Sequence, residues 1–168
     1  LPISPITKTE KQHYVVDTLA RGLEHPWSIC FLPTGEVLVT ERPGRIRIMK
    51  DGVMLPDTIK GLPDIYVKGQ GGLHDLELHP DYEKNGLVYI AYASPGEDPK
   101  EGNTAVMMAT LDLDTYTLID GVEIFQALPY SSRGVHFGGR IVFDGEDHVF
   151  VSTGDRGNRD ENPQTLEN

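Results

Sequence analysis

A histidine and a carboxylate that converge on one point can serve as a general base and the group that orients it, and His136 with Asp155 are candidates for such a pair. Between them, Ile141, Phe143, Val149 and Val151 recur at a spacing of two, and the Asp-Gly-Glu-Asp run at 144–147 supplies turn residues. This pattern predicts a β-hairpin within residues 133–163. His136 falls just before the first strand and Asp155 just after the second, so an antiparallel return brings both to the same end of the sheet. Each has a plainer role open to it. A histidine in a turn can satisfy backbone groups, and Asp in Gly-Asp-Arg-Gly suits a turn in which the carboxylate bonds the backbone two residues on.

Gln70 stands among Gly69, Gly71 and Gly72, which permit close backbone approach to a ligand and equally permit a sharp turn. His74 with Asp75 and His79 with Asp81 invite a metal reading. It is rejected, because residues 74 and 79 differ by an odd number and so face opposite sides of a strand, and His79-Pro80 reads as turn. Asp155, Asn158 and Asp160 offer oxygen ligands for calcium, but the run lacks the EF-hand spacing and its closing Glu, so a solvated loop is expected.

The elements that must position these residues are read as strands. An extended arm over residues 1–13, with Pro2 and Pro5, leads into a first strand at Tyr14–Leu19. Runs at Ser28–Leu32, Val37–Thr40 and Arg45–Met49, split by turns at 33–35 and 43–44, form an antiparallel meander. Arg45 and Arg47 alternate with Ile46 and Ile48, as on a half-exposed strand, and Trp27 after Pro26 reads as packing.

The pattern of strand, proline-containing turn, glycine and alternating strand returns around Leu76, Leu78, Val88 and Ile90, and again in the hairpin. With Phe31, Leu78 and Phe143 as equivalent positions, the copies are 47 and 65 residues apart, the period of a four-stranded propeller blade plus insertions. Ala105–Leu111 and Glu123–Leu128 are further strand candidates, 94–103 is a polar loop, and no amphipathic helix of useful length is evident. The fold class is therefore all-β, a β-propeller with about three blades over residues 14–168. Since propellers close with roughly four to eight blades, the chain is expected to be part of a longer protein.

Composition narrows the partners. A hydrophobic content of 38% over 168 residues is too high for general disorder, and a formal net charge of -11 repels nucleic acid and anionic membrane surfaces. Cys30, the single cysteine, lies in an apolar run and reads as a small core residue. No run approaches the roughly 18 apolar residues of a membrane helix. The N-terminal residues lack a signal-peptide pattern, so a signal either never existed or was removed.

Three segments, LEHPWSICFLPTGEVLVTERPGRIRI, GQGGLHDLELHPDY and HFGGRIVFDGEDHVFVSTGDRGN, resemble in order and spacing the N-terminal half of the soluble, pyrroloquinoline quinone (PQQ)-dependent glucose/aldose sugar dehydrogenases, over about residues 14–166. The resemblance implies a six-bladed propeller with PQQ and Ca²⁺ over its central channel. It implies oxidation of the anomeric carbon of an aldose sugar substrate to a lactone, a separate electron acceptor, and a periplasmic or secreted location. It makes His136 the catalytic base, Asp155 its support, and Gln70 and Asp160 polar contacts to the sugar, with the principal PQQ and calcium ligands beyond residue 168. Val135 stands where some glucose-oxidising members carry an acidic substrate contact, which points to a broader aldose preference. These residue types suit the chemistry: an imidazole accepts the hydroxyl proton near working pH, a quinone accepts hydride, Ca²⁺ polarises the quinone carbonyl, and an amide donates to and accepts from sugar hydroxyls. Two other readings of the fold remain open, a calcium-dependent lactonase-type propeller and an extracellular protein-binding module.

Overall fold

Alternating apolar residues fold into antiparallel sheets joined by short connections. The computed structural model describes residues 5–146, 148–161 and 163, so Asp147 of the expected hairpin turn lies outside the described residues. β1 (Ile6–Lys8) and β2 (His13–Val15) pair as a two-stranded sheet. The expected extended arm thus turns back on itself, around a Thr9 hydroxyl that donates to the Gln12 carbonyl at 2.6 Å and accepts from the Gln12 N–H at 3.2 Å. The strand expected to reach Leu19 stops at Val15. Val16 and Leu19 are exposed, with no sheet to join among the described residues.

The first four-stranded sheet runs in chain order: β3 (Pro26–Phe31), β4 (Val37–Glu41), β5 (Arg45–Lys50) and β6 (Val53–Thr58). Ile46 and Ile48 face the core with no exposure, while Arg45 and Arg47 reach the buried Glu41 carboxylate at 2.7 and 3.7 Å. β6 escapes the sequence reading because it contains Pro56. It is an edge strand, where a missing N–H is tolerated.

The second sheet has the same order: β7 (Leu73–Leu78), β8 (Leu87–Pro95), β9 (Gly102–Asp112) and β10 (Thr117–Gln126). A single helical turn, α1 (Tyr82–Asn85), sits between β7 and β8 and ends at Gly86 with φ 66°. β8 and β9 extend into both ends of the stretch read as a polar loop, pairing Ser94 with Asn103 and Pro95 with Gly102. The polarity there is internal. Asn103 donates to the Pro129 carbonyl and Thr104 to the Phe137 carbonyl, and neither residue is exposed.

β11 (Gly138–Phe143) and β12 (Val149–Thr153) form the expected hairpin, with Ile141 opposite Val151 and Phe143 opposite Val149. Phe31, Leu78 and Phe143 are the last residues of β3, β7 and β11, the first strands of the two four-stranded sheets and of the hairpin. β3 packs beside β7, and β7 beside β11. The architecture is two four-stranded propeller blades followed by the first two strands of a third.

The largest core lies between the first two blades and includes Leu38, Ile46, Ile48, Leu73, Leu76, Val88 and Ile90. Each such side chain contributes up to about 1.5–3 kcal/mol when fully buried. Cys30 belongs to this core, and burial pushes its thiol up to about 12. The third blade docks through Ile141 against Ala91 and Val106. Beside that contact lies Asp75, with no exposure, whose carboxylate accepts from Arg140 Nη1 and the Ile141 N–H, both at 2.9 Å, and from the Leu76 N–H at 3.1 Å.

Asp75→Ala strands the Ile141 N–H and leaves the Leu76 N–H only the Ser28 hydroxyl at 3.4 Å, and urea denaturation is expected to show a loss of about 1–3 kcal/mol. A second expectation concerns acid. The Lys50 ammonium at 2.8 Å holds the Glu36 carboxyl down to about 2 from its ordinary 4.5. Because the folded pKa is depressed, the contribution of Glu36 is complete above about 4.5 and is lost as pH falls towards about 2. Lys50→Met is expected to flatten the stability-against-pH curve in that window, and an unchanged slope there refutes the coupling.

Candidate functional site

The hairpin does to His136 and Asp155 what its register requires. His136 precedes β11, Asp155 follows β12, and His136 Nδ1 lies 2.9 Å from Asp155 Oδ1. The Gly157 N–H donates to the same carboxylate oxygen at 2.7 Å. That backbone donor first, and the His136 contact after it, hold the Asp155 carboxyl below its ordinary range. An ionised Asp155 accepts from Nδ1–H, which leaves Nε2 with its lone pair free on a side chain that is 60% exposed. The dyad therefore has the form of an oriented base.

His136 is held through its backbone. Its φ of 53° is left-handed, a conformation costing a non-glycine residue about 1–2 kcal/mol. Two hydrogen bonds support it: its N–H donates to Gln70 Oε1 at 2.8 Å, and its carbonyl accepts from the Arg156 N–H at 3.2 Å. The Gln70 amide is thus already half engaged, with its NH₂ group available beside an exposed imidazole.

Gln70 is positioned from two directions. Its N–H donates to the Gly134 carbonyl at 2.8 Å, while Arg42 Nη1, just after β4, donates to the carbonyls of Gly69 and Gly71 at 3.0 and 3.3 Å. Lys68 Nζ adds a bond to the Ser132 carbonyl at 2.9 Å. Loops of all three blades meet at this point. Gly69 and Gly72 have positive φ, and a Cβ on either would collide with the carbonyl of Gly134 or Arg42. The glycine run around Gln70 is therefore a site of backbone approach.

The remaining candidates separate. Asp160 is 91% exposed and contacts its neighbour Arg159 at 3.9 Å, apart from the hydrogen bonds that link Gln70, His136 and Asp155. His74 packs against Trp27 and Phe137, whereas His79 packs against Tyr89 and Phe143. Among the described residues no three His, Cys, Asp or Glu side chains converge to hold a metal ion.

Sequence reasoning missed Thr104, which donates to the Phe137 carbonyl at 2.5 Å next to the base, and Arg156. Arg156 is 4% exposed, and its Nε and Nη1 have no hydrogen-bond partner among the described residues. Thr104 carries no local signal, and Arg156 none beyond the Thr-Gly-Asp-Arg-Gly run at 153–157.

Gly154, in that run, lies so close to the His136 carbonyl that any Cβ would overlap it. Gly154→Ala is expected to displace His136 and to abolish the ordered His136–Asp155 contact, seen as loss of the low-field imidazole N–H resonance in a protein that still folds. Survival of that resonance refutes the close-approach argument.

A family model for glucose/sorbosone dehydrogenases matches residues 23–168. Aldose sugar dehydrogenase YliI of Escherichia coli (strain K12) is 38% identical over 145 residues, covering 86% of this chain and 39% of that protein. A glucose dehydrogenase crystal structure superposes with a TM-score of 0.79 at 40% identity, over 84% of this chain and 41% of its own. The PQQ-bound aldose sugar dehydrogenase of Streptomyces coelicolor gives a TM-score of 0.73 at 27% identity, over 86% and 42%. The chain spans about two fifths of the length of these relatives. Fold and sequence agree over the same residues, and the chain belongs to the glucose/sorbosone dehydrogenase family.

Proposed function

We propose that the protein containing this chain is a PQQ-dependent aldose dehydrogenase that oxidises the anomeric carbon of its sugar to a lactone, with His136 as general base. The observation that carries this reading is the 2.9 Å contact of His136 Nδ1 with Asp155, which leaves the Nε2 lone pair available on a side chain that is 60% exposed. His136 Nε2 takes the proton of the anomeric hydroxyl as the C–O bond becomes a carbonyl and the anomeric hydrogen leaves as hydride. Asp155 keeps the ring in the Nδ1–H tautomer and stabilises the imidazolium that forms. The Gln70 NH₂ group donates to a sugar hydroxyl while its oxygen holds His136, and the exposed Asp160 is the outer sugar contact.

When bound, PQQ supplies the hydride acceptor, with Ca²⁺ polarising its carbonyl. On the resemblance to the family, the calcium ligands and the principal PQQ contacts are expected in the part of the family fold beyond residue 168. Val135 beside the base puts an apolar side chain where some glucose-oxidising members have an acidic one, which favours a broad aldose range. The reading also carries an electron acceptor and a periplasmic or secreted location.

The test is reconstitution of the longest form of the protein with PQQ and Ca²⁺, followed by aldose-dependent reduction of an artificial electron acceptor. Activity is expected to require PQQ, and His136→Gln is expected to lower kcat by about 10²–10⁴-fold. A folded protein that binds PQQ but oxidises no aldose sinks the proposal, as does full activity in the variant. Sugar binding without turnover points instead to a binding module.

A further inference from the structure

His74 lies on β7 with 1% exposure, a titratable side chain that the proposed chemistry does not use. Its ring is confined on every side. Trp27 and Phe137 pack against it with centroids at 5.5 and 5.9 Å, and Gly139, at φ 93°, approaches so closely that a Cβ there would fall 2.5 Å from Nδ1. The Thr40 hydroxyl donates to the His74 carbonyl at 2.6 Å and fixes the backbone beneath the ring.

Among the described residues, the ring's one polar contact is Nε2 with the Gln70 carbonyl, at 3.3 Å. A carbonyl only accepts, so Nε2 must carry the proton. Nδ1 is then an acceptor without a partner among the described residues, buried against Gly139. Burial also pushes the imidazole pKa down, against a second proton on Nδ1. A leucine would fill the same apolar niche without stranding a nitrogen, so packing alone does not account for a histidine. What histidine adds is the donor aimed at Gln70.

We propose that His74 is a positioning residue of the sugar site: its Nε2–H holds the Gln70 carbonyl, and through Gln70 Oε1 it sets the backbone of His136. The inference rests on Gln70 and His136 being the sugar-site residues named above. The linkage runs from His74 Nε2 to Gln70 O, from Gln70 Oε1 to His136 N, and from His136 Nδ1 to Asp155. A parallel path runs through Phe137, which touches the His74 ring and follows His136 in the chain.

The experiment begins with ¹⁵N-resolved NMR of the histidine rings in the PQQ-free protein. His74 is expected as the neutral Nε2–H tautomer, and an Nδ1–H tautomer overturns the proposal without any variant. His74→Leu and His74→Gln are then compared, since glutamine keeps an N–H donor at similar reach. The His136 amide and the Gln70 side-chain NH₂ resonances are expected to move in His74→Leu and to stay near wild type in His74→Gln. In the reconstituted enzyme, KM for the aldose is expected to rise about five- to tenfold in the leucine variant, with recovery in the glutamine variant. Unmoved resonances in a folded His74→Leu protein overturn the proposal. If that variant does not fold, displaced resonances in His74→Gln overturn it instead. Should the wild type prove inactive on every aldose, the functional reading falls while the NMR comparison still decides whether His74 positions Gln70.

Discussion

The position of the hairpin depends on one buried carboxylate. Asp75 sits on the first strand of the second blade, without solvent contact, and gathers donors from both sides of the joint: Leu76 from its own strand, Arg140 and Ile141 from β11. A buried charge is tolerated only when it is paired and hydrogen-bonded, and Asp75 is both. Because Ile141 supplies its backbone N–H, the carboxylate sets the register of β11 against β7 as well as their separation. Arg140 in turn lies over the Trp27 ring at 4.7 Å, and Trp27 packs on His74, so the joint continues into the first blade.

From that joint the site is assembled by main chain meeting main chain. Residues 68–72 are bonded on one side to Arg42 and on the other to residues 132–136, and the glycines there and at 154 leave the space that these approaches need. Each hydrogen bond contributes a net of about 1 kcal/mol, similar to the cost of the left-handed backbone at His136. What they supply together is direction. The imidazole is aimed by its own backbone and by Asp155, and the rotamer has little freedom left.

The parts that depend on local period were legible in the sequence. The hairpin, its register, and the meeting of His136 with Asp155 follow from alternation and antiparallel return, and the equivalence of Phe31, Leu78 and Phe143 follows from the repeat. What depends on distant partners was not legible. The bond from His136 to Gln70 spans 66 residues, and no local pattern announces it. Asn103 read as loop because its internal acceptor, the Pro129 carbonyl, is supplied by another segment, and Pro56 hid an edge strand because only the sheet order shows that no N–H is required there. His74 drew attention as a metal ligand, and its burial between two aromatic rings gives it a different meaning.

Placing the base through backbone contacts separates two tasks that side chains would otherwise share. Val135 and Gln70 flank His136, yet the orientation of the imidazole uses the His136 N–H and carbonyl, the Asp155 carboxylate and glycine clearances, none of which involves the Val135 side chain in a polar contact. Under the proposed function, the residue at 135 can therefore change between apolar and acidic types, altering which sugar hydroxyls are favoured, without removing the polar contacts that orient the imidazole. Gln70 has no such freedom. Its oxygen accepts from the His136 N–H, so under the proposed function a substitution there alters sugar binding and the placement of the imidazole together. Under the proposed function, the same fold thus leaves specificity open at one neighbour of His136 and couples it to catalysis at the other.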